Sequence, residues 1–184
     1  MEKNFRKSPF IRQFFSVCVF ILLFVTSGFS QHLTISSSGE TGTSGTNWSI
    51  TGNILTVSNS NVSAHIHPSV ITNHLTNVGD LTIVLPWVSG VSRDLYINSS
   101  IVYTGSTSRT LTFNIVNDII AASSISISSS NSSLNLVLRT AMSSSNTDHG
   151  RIQLNGTTIA TNGGHFWAGG GSTNATWNLS LIHI

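Results

Sequence analysis

Asp94-Leu95-Tyr96-Ile97-Asn98-Ser99-Ser100-Ile101-Val102-Tyr103 is answered further along the chain by Asp118-Ile119-Ile120-Ala121-Ala122-Ser123-Ser124-Ile125-Ser126-Ile127. Leu111-Thr112-Phe113-Asn114-Ile115 is answered at nearly the same offset by Leu134-Asn135-Leu136-Val137-Leu138. A third, partial copy is Ile152-Gln153-Leu154 followed by Ile159, after a longer loop through Ser143 to Gly150. A period in the twenties with several short strands per copy predicts units that stack on one another. One unit alone cannot bury its apolar side chains. Stacked, the Ile, Leu and Val residues form ladders, and backbone groups pair with the units on either side. The expected fold class is all-β: the N-terminal part of a right-handed parallel β-helix (β-solenoid). The alternative is an antiparallel β-sandwich, whose strands recur every ~8–12 residues.

The same alternation extends upstream. Ile54-Leu55-Thr56-Val57 follows the turn residues Thr51-Gly52-Asn53, and Leu81-Thr82-Ile83-Val84-Leu85 follows Gly79-Asp80. Within the repeats, Leu111, Phe113, Leu134, Leu136, Leu138, Ile152 and Leu154 are expected to point inward, with Asn135 on the opposite face. No helical periodicity is read anywhere beyond the N-terminal segment. Ser, Thr, Asn and Gly abound, yet low charge and regular apolar runs argue against disorder.

That N-terminal segment has three parts. Lys3, Arg6, Lys7 and Arg12 are basic; Phe14 to Val25 is apolar apart from Ser16; Gly28 and Ser30 are small residues two apart. This is the pattern of a secretory signal peptide, with cleavage after Ser30. The run is shorter than the ~20 residues of a membrane span. Cys18 lies inside it, so the remainder has no cysteine and is held by its core and backbone bonding. Past Ser30 there are four arginines and five carboxylates and no lysine, a formal charge of −1. No basic patch for nucleic acid remains. The expected organisation is a signal peptide over 1–30, a β-rich capping region over 31–93 and solenoid repeats over 94–178.

The run from Asp94 to Gly171 resembles the β-helical region of filamentous-haemagglutinin-like bacterial surface proteins. The elements that carry the likeness are Asp94-Leu95-Tyr96-Ile97, Leu111-Thr112-Phe113, Asp118 to Ser128, Leu134 to Leu138, Gly150 to Gly156 and Thr157 to Gly164. The resemblance implies an exported adhesin or stalk. It does not extend to the Asn-Pro motifs of two-partner secretion domains, since Pro68 and Pro86 follow His67 and Leu85. Leu179 to Ile184 looks like the translation of a transposase adaptor, so residues 179–184 are read as a non-native tail on a fragment of a longer protein.

Four groups of residues have types that suit chemistry. His65, His67 and His74 include two imidazoles on one face of a strand, and two or three histidines can hold zinc or copper; solvent-facing histidines near a turn are preferred here. Asp94 and Asp118 occupy equivalent repeat positions. Stacked carboxylates with Arg93 or Arg109 as base would suit a calcium-dependent polysaccharide lyase, but a turn-capping role before each strand is preferred. Gly163-Gly164 and Gly169-Gly170-Gly171 are expected in tight turns. Trp167 is either an exposed aromatic for glycan contact or a lid on the core. No catalytic, cofactor or metal residue is assigned, and no cofactor is expected. The expected function is non-catalytic: a secreted or surface-exposed adhesin or stalk. A secreted β-helix carbohydrate-active enzyme is the alternative. The expected partner is a glycan or a protein of a host or neighbouring cell. Nucleic acid is not expected, membrane contact is confined to export, and the open solenoid end is expected either to self-associate or to fray.

Overall fold

Leu111, Phe113, Leu134, Leu136 and Leu138 are fully buried, as alternation along a half-buried strand requires. The structure, a computed structural model, describes residues 29–58, 62–88, 91–140 and 150–170. The signal segment up to residue 28 and the 179–184 tail lie outside the described residues. The described chain opens with β1 (Phe29–Ser30), β2 (Leu33–Glu40), β3 (Ser44–Gly45), β4 (Trp48–Thr51), β5 (Ile54–Val57) and β6 (Ala64–Ile66). Helix α1 (Pro68–Asn77), β7 (Leu81–Leu85) and β8 (Val91–Ser92) follow. Then come three circuits of three strands each. These are β9 (Leu95–Ile97), β10 (Ile101–Tyr103) and β11 (Arg109–Ile115); β12 (Ile119–Ala121), β13 (Ser126–Ser129) and β14 (Leu134–Thr140); and β15 (Ile152–Leu154), β16 (Thr158–Ala160) and β17 (Phe166–Gly170).

Each circuit contributes one strand to each of three sheets. The first sheet has the order β15-β12-β9-β2-β6, the second β10-β13-β16, and the third β17-β14-β11-β7-β5-β4-β3. Every pairing between circuits is parallel. Among the described residues, the antiparallel pairing a sandwich would need is confined to β3-β4-β5 and a bridge between Val88 and Val91. The fold is thus mostly β, with several sheets joined by repeat-like long-range strand contacts.

The inward residues stack in register. Leu33, Leu95 and Ile119 form one ladder and Ile35, Ile97 and Ala121 the next. In the third sheet Leu81, Leu111, Leu136 and Phe166 align, beside Leu55, Ile83, Phe113, Leu138 and Ala168. The sequence alignment of the repeats is corrected in two of the three sheets. Leu95 does pair with Ile119, as the repeat predicts. Leu111, however, pairs with Leu136 and not Leu134, and Ile101 pairs with Ile127 and not Ile125. Both corrections are slips of two positions. Since side chains alternate with period two, a slip of two leaves every residue on its expected face.

At the N-terminal end the repetition breaks. β2 lies between β6 and β9, although β6 comes later in sequence. The hairpin turns the third sheet antiparallel at its edge. The bulged part of β2 brings Gly39 so close to the Ile66 backbone that a Cβ would stand 2.1 Å from the Ile66 carbonyl carbon. Helix α1 packs on β10, covering the edge of the second sheet. This helix corrects the expectation of no helix beyond the N-terminal segment. Pro68 sits in its first turn, where proline lacks only an N–H that no helical carbonyl would receive. His67 is the N-cap, its Nδ1 accepting the Ser69 N–H at 3.1 Å. Val70, Ile71, His74 and Leu75 form the buried stripe. With only three aliphatics in that stripe, the periodicity is diluted below the level a sequence reading registers.

Candidate functional site

The residues preceding four of the five first-sheet strands, β2, β9, β12 and β15, stand at the same corner of successive circuits. In spatial order these are His32, Asp94, Asp118 and Arg151, just ahead of Leu33, Leu95, Ile119 and Ile152. Asp94 and Asp118 are both buried. Asp94 Oδ1 accepts the Asp118 backbone N–H at 3.2 Å and an amide N–H of Asn117. Its Oδ2 faces His32 Nδ1 at 3.3 Å. One circuit on, Asp118 Oδ1 accepts the Arg151 backbone N–H at 2.8 Å. Asp118 Oδ2 takes the guanidinium fork of Arg151, Nε at 3.0 Å and Nη2 at 2.6 Å. The pairing pulls the Arg151 guanidinium further above its already high range. Tyr96 stands edge-on to the His32 ring, centroids 4.9 Å apart. Burial raises the Tyr96 phenol above its usual pKa, and the charges of Asp94 and Asp118 add to the effect.

In this ladder every carboxylate oxygen is engaged. Asp94 and Asp118 each accept a backbone N–H of the next circuit, and Asp94 Oδ2 also lies 3.4 Å from Ser92 Oγ in its own stretch. A second ladder works in the same way at the start of the third-sheet strands. Asp80 Oδ1 accepts the Thr110 N–H at 2.8 Å, and Asn135 Oδ1 accepts the His165 N–H at 2.9 Å.

The structure brings Asp94 and Asp118 together as the repeat predicts, but not with the expected bases. Arg93 is fully buried, its Nη1 donating to the Pro86 carbonyl at 2.7 Å and Nη2 to the Ser58 carbonyl at 2.8 Å. Burial lowers the Arg93 guanidinium from its usual range. Arg109 Nε donates to the Leu75 carbonyl at 2.8 Å, one of the carbonyls that α1 leaves open at its C-terminal end. The cation beside the carboxylates is Arg151. Its signal is in the sequence, since it precedes Ile152-Gln153-Leu154 as Asp118 precedes Ile119, but the extra run over 141–149 breaks the spacing.

The three histidines have separate surroundings. His65 is exposed on β6, His67 caps α1, and His74 is buried on α1 with Nε2 3.4 Å from Asn53 Oδ1. Among the described residues, no three His, Cys, Asp or Glu groups stand close enough to hold a metal. Gly163 lies in a turn, with φ +83°, as expected. Gly169 and Gly170 do not: they are part of strand β17, and Gly171 lies outside the described residues. A Cβ on Gly169 would stand 2.9 Å from the Trp167 ring, so the glycine lets the indole lean along the sheet. Trp167 pairs with outward Val137 and carries the Arg139 guanidinium 5.3 Å from its ring centroid. It therefore lies on the outer face and does not cover the core.

Sequence reasoning also missed the carboxylate of the hairpin. Glu40 accepts from Thr46 N–H, Thr46 Oγ1 and Trp48 Nε1, each at 2.7 Å. Those bonds hold its carboxyl below the usual carboxylate range. Beside it, Gly45, Asn47, Trp48, Ser49, Thr56 and Ser58 line an open depression of about 350 Å³. Compared with known proteins, the chain matches no family model, no curated protein and no solved structure.

Proposed function

We propose that this chain is the N-terminal part of an exported bacterial surface protein whose role is structural and adhesive. In this reading the circuits are coils of a right-handed parallel β-helix, residues 31–93 are its cap, and the likeness to filamentous-haemagglutinin-like proteins reflects kinship. The observation that carries it is the parallel register kept over successive circuits, with side chains of the polar ladders spent on joining one circuit to the next. Such an architecture lengthens by adding circuits and presents its outer faces to partners. A surface glycan or a protein of a neighbouring or host cell is the proposed ligand class. The low charge of the outer faces suits contact through hydrogen bonds and the indole of Trp167.

Two measurements test the reading. The gene, with its N-terminal segment intact, is expressed in a bacterial host, and intact cells are treated with protease; loss of the protein without lysis supports surface exposure. The purified chain is then screened against immobilised glycans and host cells, and in parallel for calcium-dependent cleavage of acidic polysaccharides. Saturable binding without cleavage supports the adhesin. Cleavage that is lost in Asp118→Asn would replace it with the lyase.

A further inference from the structure

On the outer face of the third sheet, side chains line up across the strands. Ser49, Thr56, Val84, Asn114, Arg139 and Gly169 are successive register partners. The row crosses β4, β5, β7, β11, β14 and β17, a span of ~24 Å at the usual spacing between strands. At one end, Ser49 and Thr56 are exposed and line the open depression beside the hairpin. At the other, the exposed Arg139 stands over the ring of Trp167, which leans along the sheet toward Gly169. Between the ends, Asn114 Oδ1 is shielded and has no hydrogen-bond partner among the described residues. A strand added beyond β17 would lengthen this row without covering it, because strands join at their edges and not on their faces.

Arg139 differs from the other arginines of the fold. Arg93 and Arg109 donate to carbonyls and Arg151 to Asp118, whereas the Arg139 guanidinium has no oxygen partner among the described residues. A guanidinium laid against an indole by its face keeps its N–H edge turned away from the ring. That edge fits a carboxylate through two parallel hydrogen bonds. No Asp or Glu lies on β4, β5, β7, β11, β14 or β17 to compete for it. Apart from Val84 and Gly169, the remainder of the row is hydroxyls and an amide, which exchange hydrogen bonds readily with sugar hydroxyls. We propose that the row binds a linear polysaccharide that bears carboxylates. One uronate carboxylate sits on Arg139, and the chain runs across the strands toward Thr56 and Ser49. Trp167 is a positioning residue that holds the guanidinium in place. A peptide is a poorer match, since it adds to a sheet through edge N–H and C=O groups that a face does not offer. The inference rests on the surface-binding reading above and gives it a site and a ligand chemistry.

The experiment is calorimetric titration of the processed chain, Gln31 to Ile184, with a galacturonate hexamer in EDTA. The same hexamer as its uncharged methyl ester is titrated beside it. The acid should bind saturably, more weakly as salt is added, and about tenfold more tightly than the ester. Both probes meet the unaltered chain, so this comparison depends on no variant's folding and is the deciding one. Arg139→Gln should bring the acid down to the affinity of the ester. Trp167→Ala should lose most of the preference, and Trp167→Phe should recover it, since a phenyl ring also holds a guanidinium. Thr56→Tyr, which fills the far end of the row, should weaken the hexamer and leave a galacturonate dimer unaffected. Equal binding of acid and ester, or a preference that persists in Arg139→Gln, overturns the proposal. A glutamate hexapeptide that binds as tightly through Arg139 also overturns it, by making the site one for acidic peptides. A hexamer that does not bind overturns it as well, while the adhesin reading still stands or falls on the glycan and cell screens. Protection from protease on intact cells defeats the surface reading alone and leaves the hexamer titration intact.

Discussion

Asp118 Oδ1 accepts the Arg151 backbone N–H just as Asp94 Oδ1 accepts that of Asp118, so one hydrogen bond is repeated from circuit to circuit. The repeated part is the acceptor on a backbone N–H; the Arg151 side chain is an addition, largely exposed to solvent. Asp118→Ala removes the acceptor from a buried corner and should cost about 1–3 kcal/mol. Arg151→Ala keeps the backbone bond and gives up a solvent-exposed ion pair, so its loss should be clearly the smaller of the two. Urea unfolding of the two single variants and the double variant measures both. Equal losses for the two single variants would show that the ion pair, and not the backbone bond, joins the circuits.

Leu136 is fully buried between Leu111 and Phe166. Leu136→Ala should destabilise by about 2–5 kcal/mol, the range for large-to-small changes in a packed core. Asn135 is on the outer face but is not idle, since it accepts the His165 N–H. Asn135→Ala should therefore cost about 1 kcal/mol. An unchanged midpoint for Leu136→Ala would contradict the register.

These two neighbours also show how far the sequence can be read. Alternation alone assigns Leu136 inward and Asn135 outward, whatever strand lies beside them. It does not choose the neighbour, because register slips of two conserve the pattern, and so a reading of the repeat matches Leu111 to Leu134. The Asp94 and Asp118 stack is legible because they precede the one strand whose offset is undisturbed. Arg151 is hidden by the 141–149 insertion, and α1 by its short, polar-rich stripe. The anchoring roles of Arg93 and Gln31 depend on the Ser58 carbonyl, which is distant from both in sequence and which no local pattern encodes.

Arg93 joins two loops from inside, through the carbonyls of Pro86 and Ser58. Arg93→Met retains much of the volume but leaves both carbonyls without their charged donor. The expected loss is about 2–3 kcal/mol. Arg93→Lys should recover only part of it, since an ammonium lacks the planar fork that reaches both oxygens. Denaturant midpoints of the two variants provide the comparison. Full rescue by lysine would reduce the role of the fork to that of a point charge.

Burial lowers the His74 imidazole from its usual 6.5, against a smaller upward pull from a backbone hydrogen bond at Asp80. Below 6.5 the unfolded chain takes up a proton that the folded helix resists. The contribution to stability is therefore complete above that value and is lost as pH falls toward the depressed folded pKa. Unfolding midpoints measured from about pH 8 to pH 5 should decline on the acid side. The slope should flatten in His74→Gln, which keeps a polar group facing Asn53. An identical acid slope in the variant would place the titration elsewhere.

Export should remove residues 1–30 and leave Gln31 as the first residue. The tripartite pattern from Lys3 to Ser30 motivates the cut, and the contacts of Gln31 give it a structural consequence. Gln31 is buried, with Nε2 donating to the Ser58 carbonyl at 2.7 Å and the Val62 carbonyl at 3.1 Å. Its backbone nitrogen donates to the Ser92 carbonyl at 2.9 Å. A cut after Ser30 keeps all three bonds and, among the described residues, gives up the pairing of Phe29 and Ser30 with Val91 and Ser92. The new ammonium is then positioned to donate to Ser92, and the side-chain amide, engaged with two carbonyls, is held away from cyclising onto it. Intact mass of the secreted protein should match a chain beginning at an unmodified Gln31. Gln31→Ala should lower its stability by about 1–2 kcal/mol through the two lost side-chain bonds. A product that retains the apolar run from Phe14 to Val25 would defeat the export reading. A product that starts beyond Gln31 would show that these contacts are dispensable.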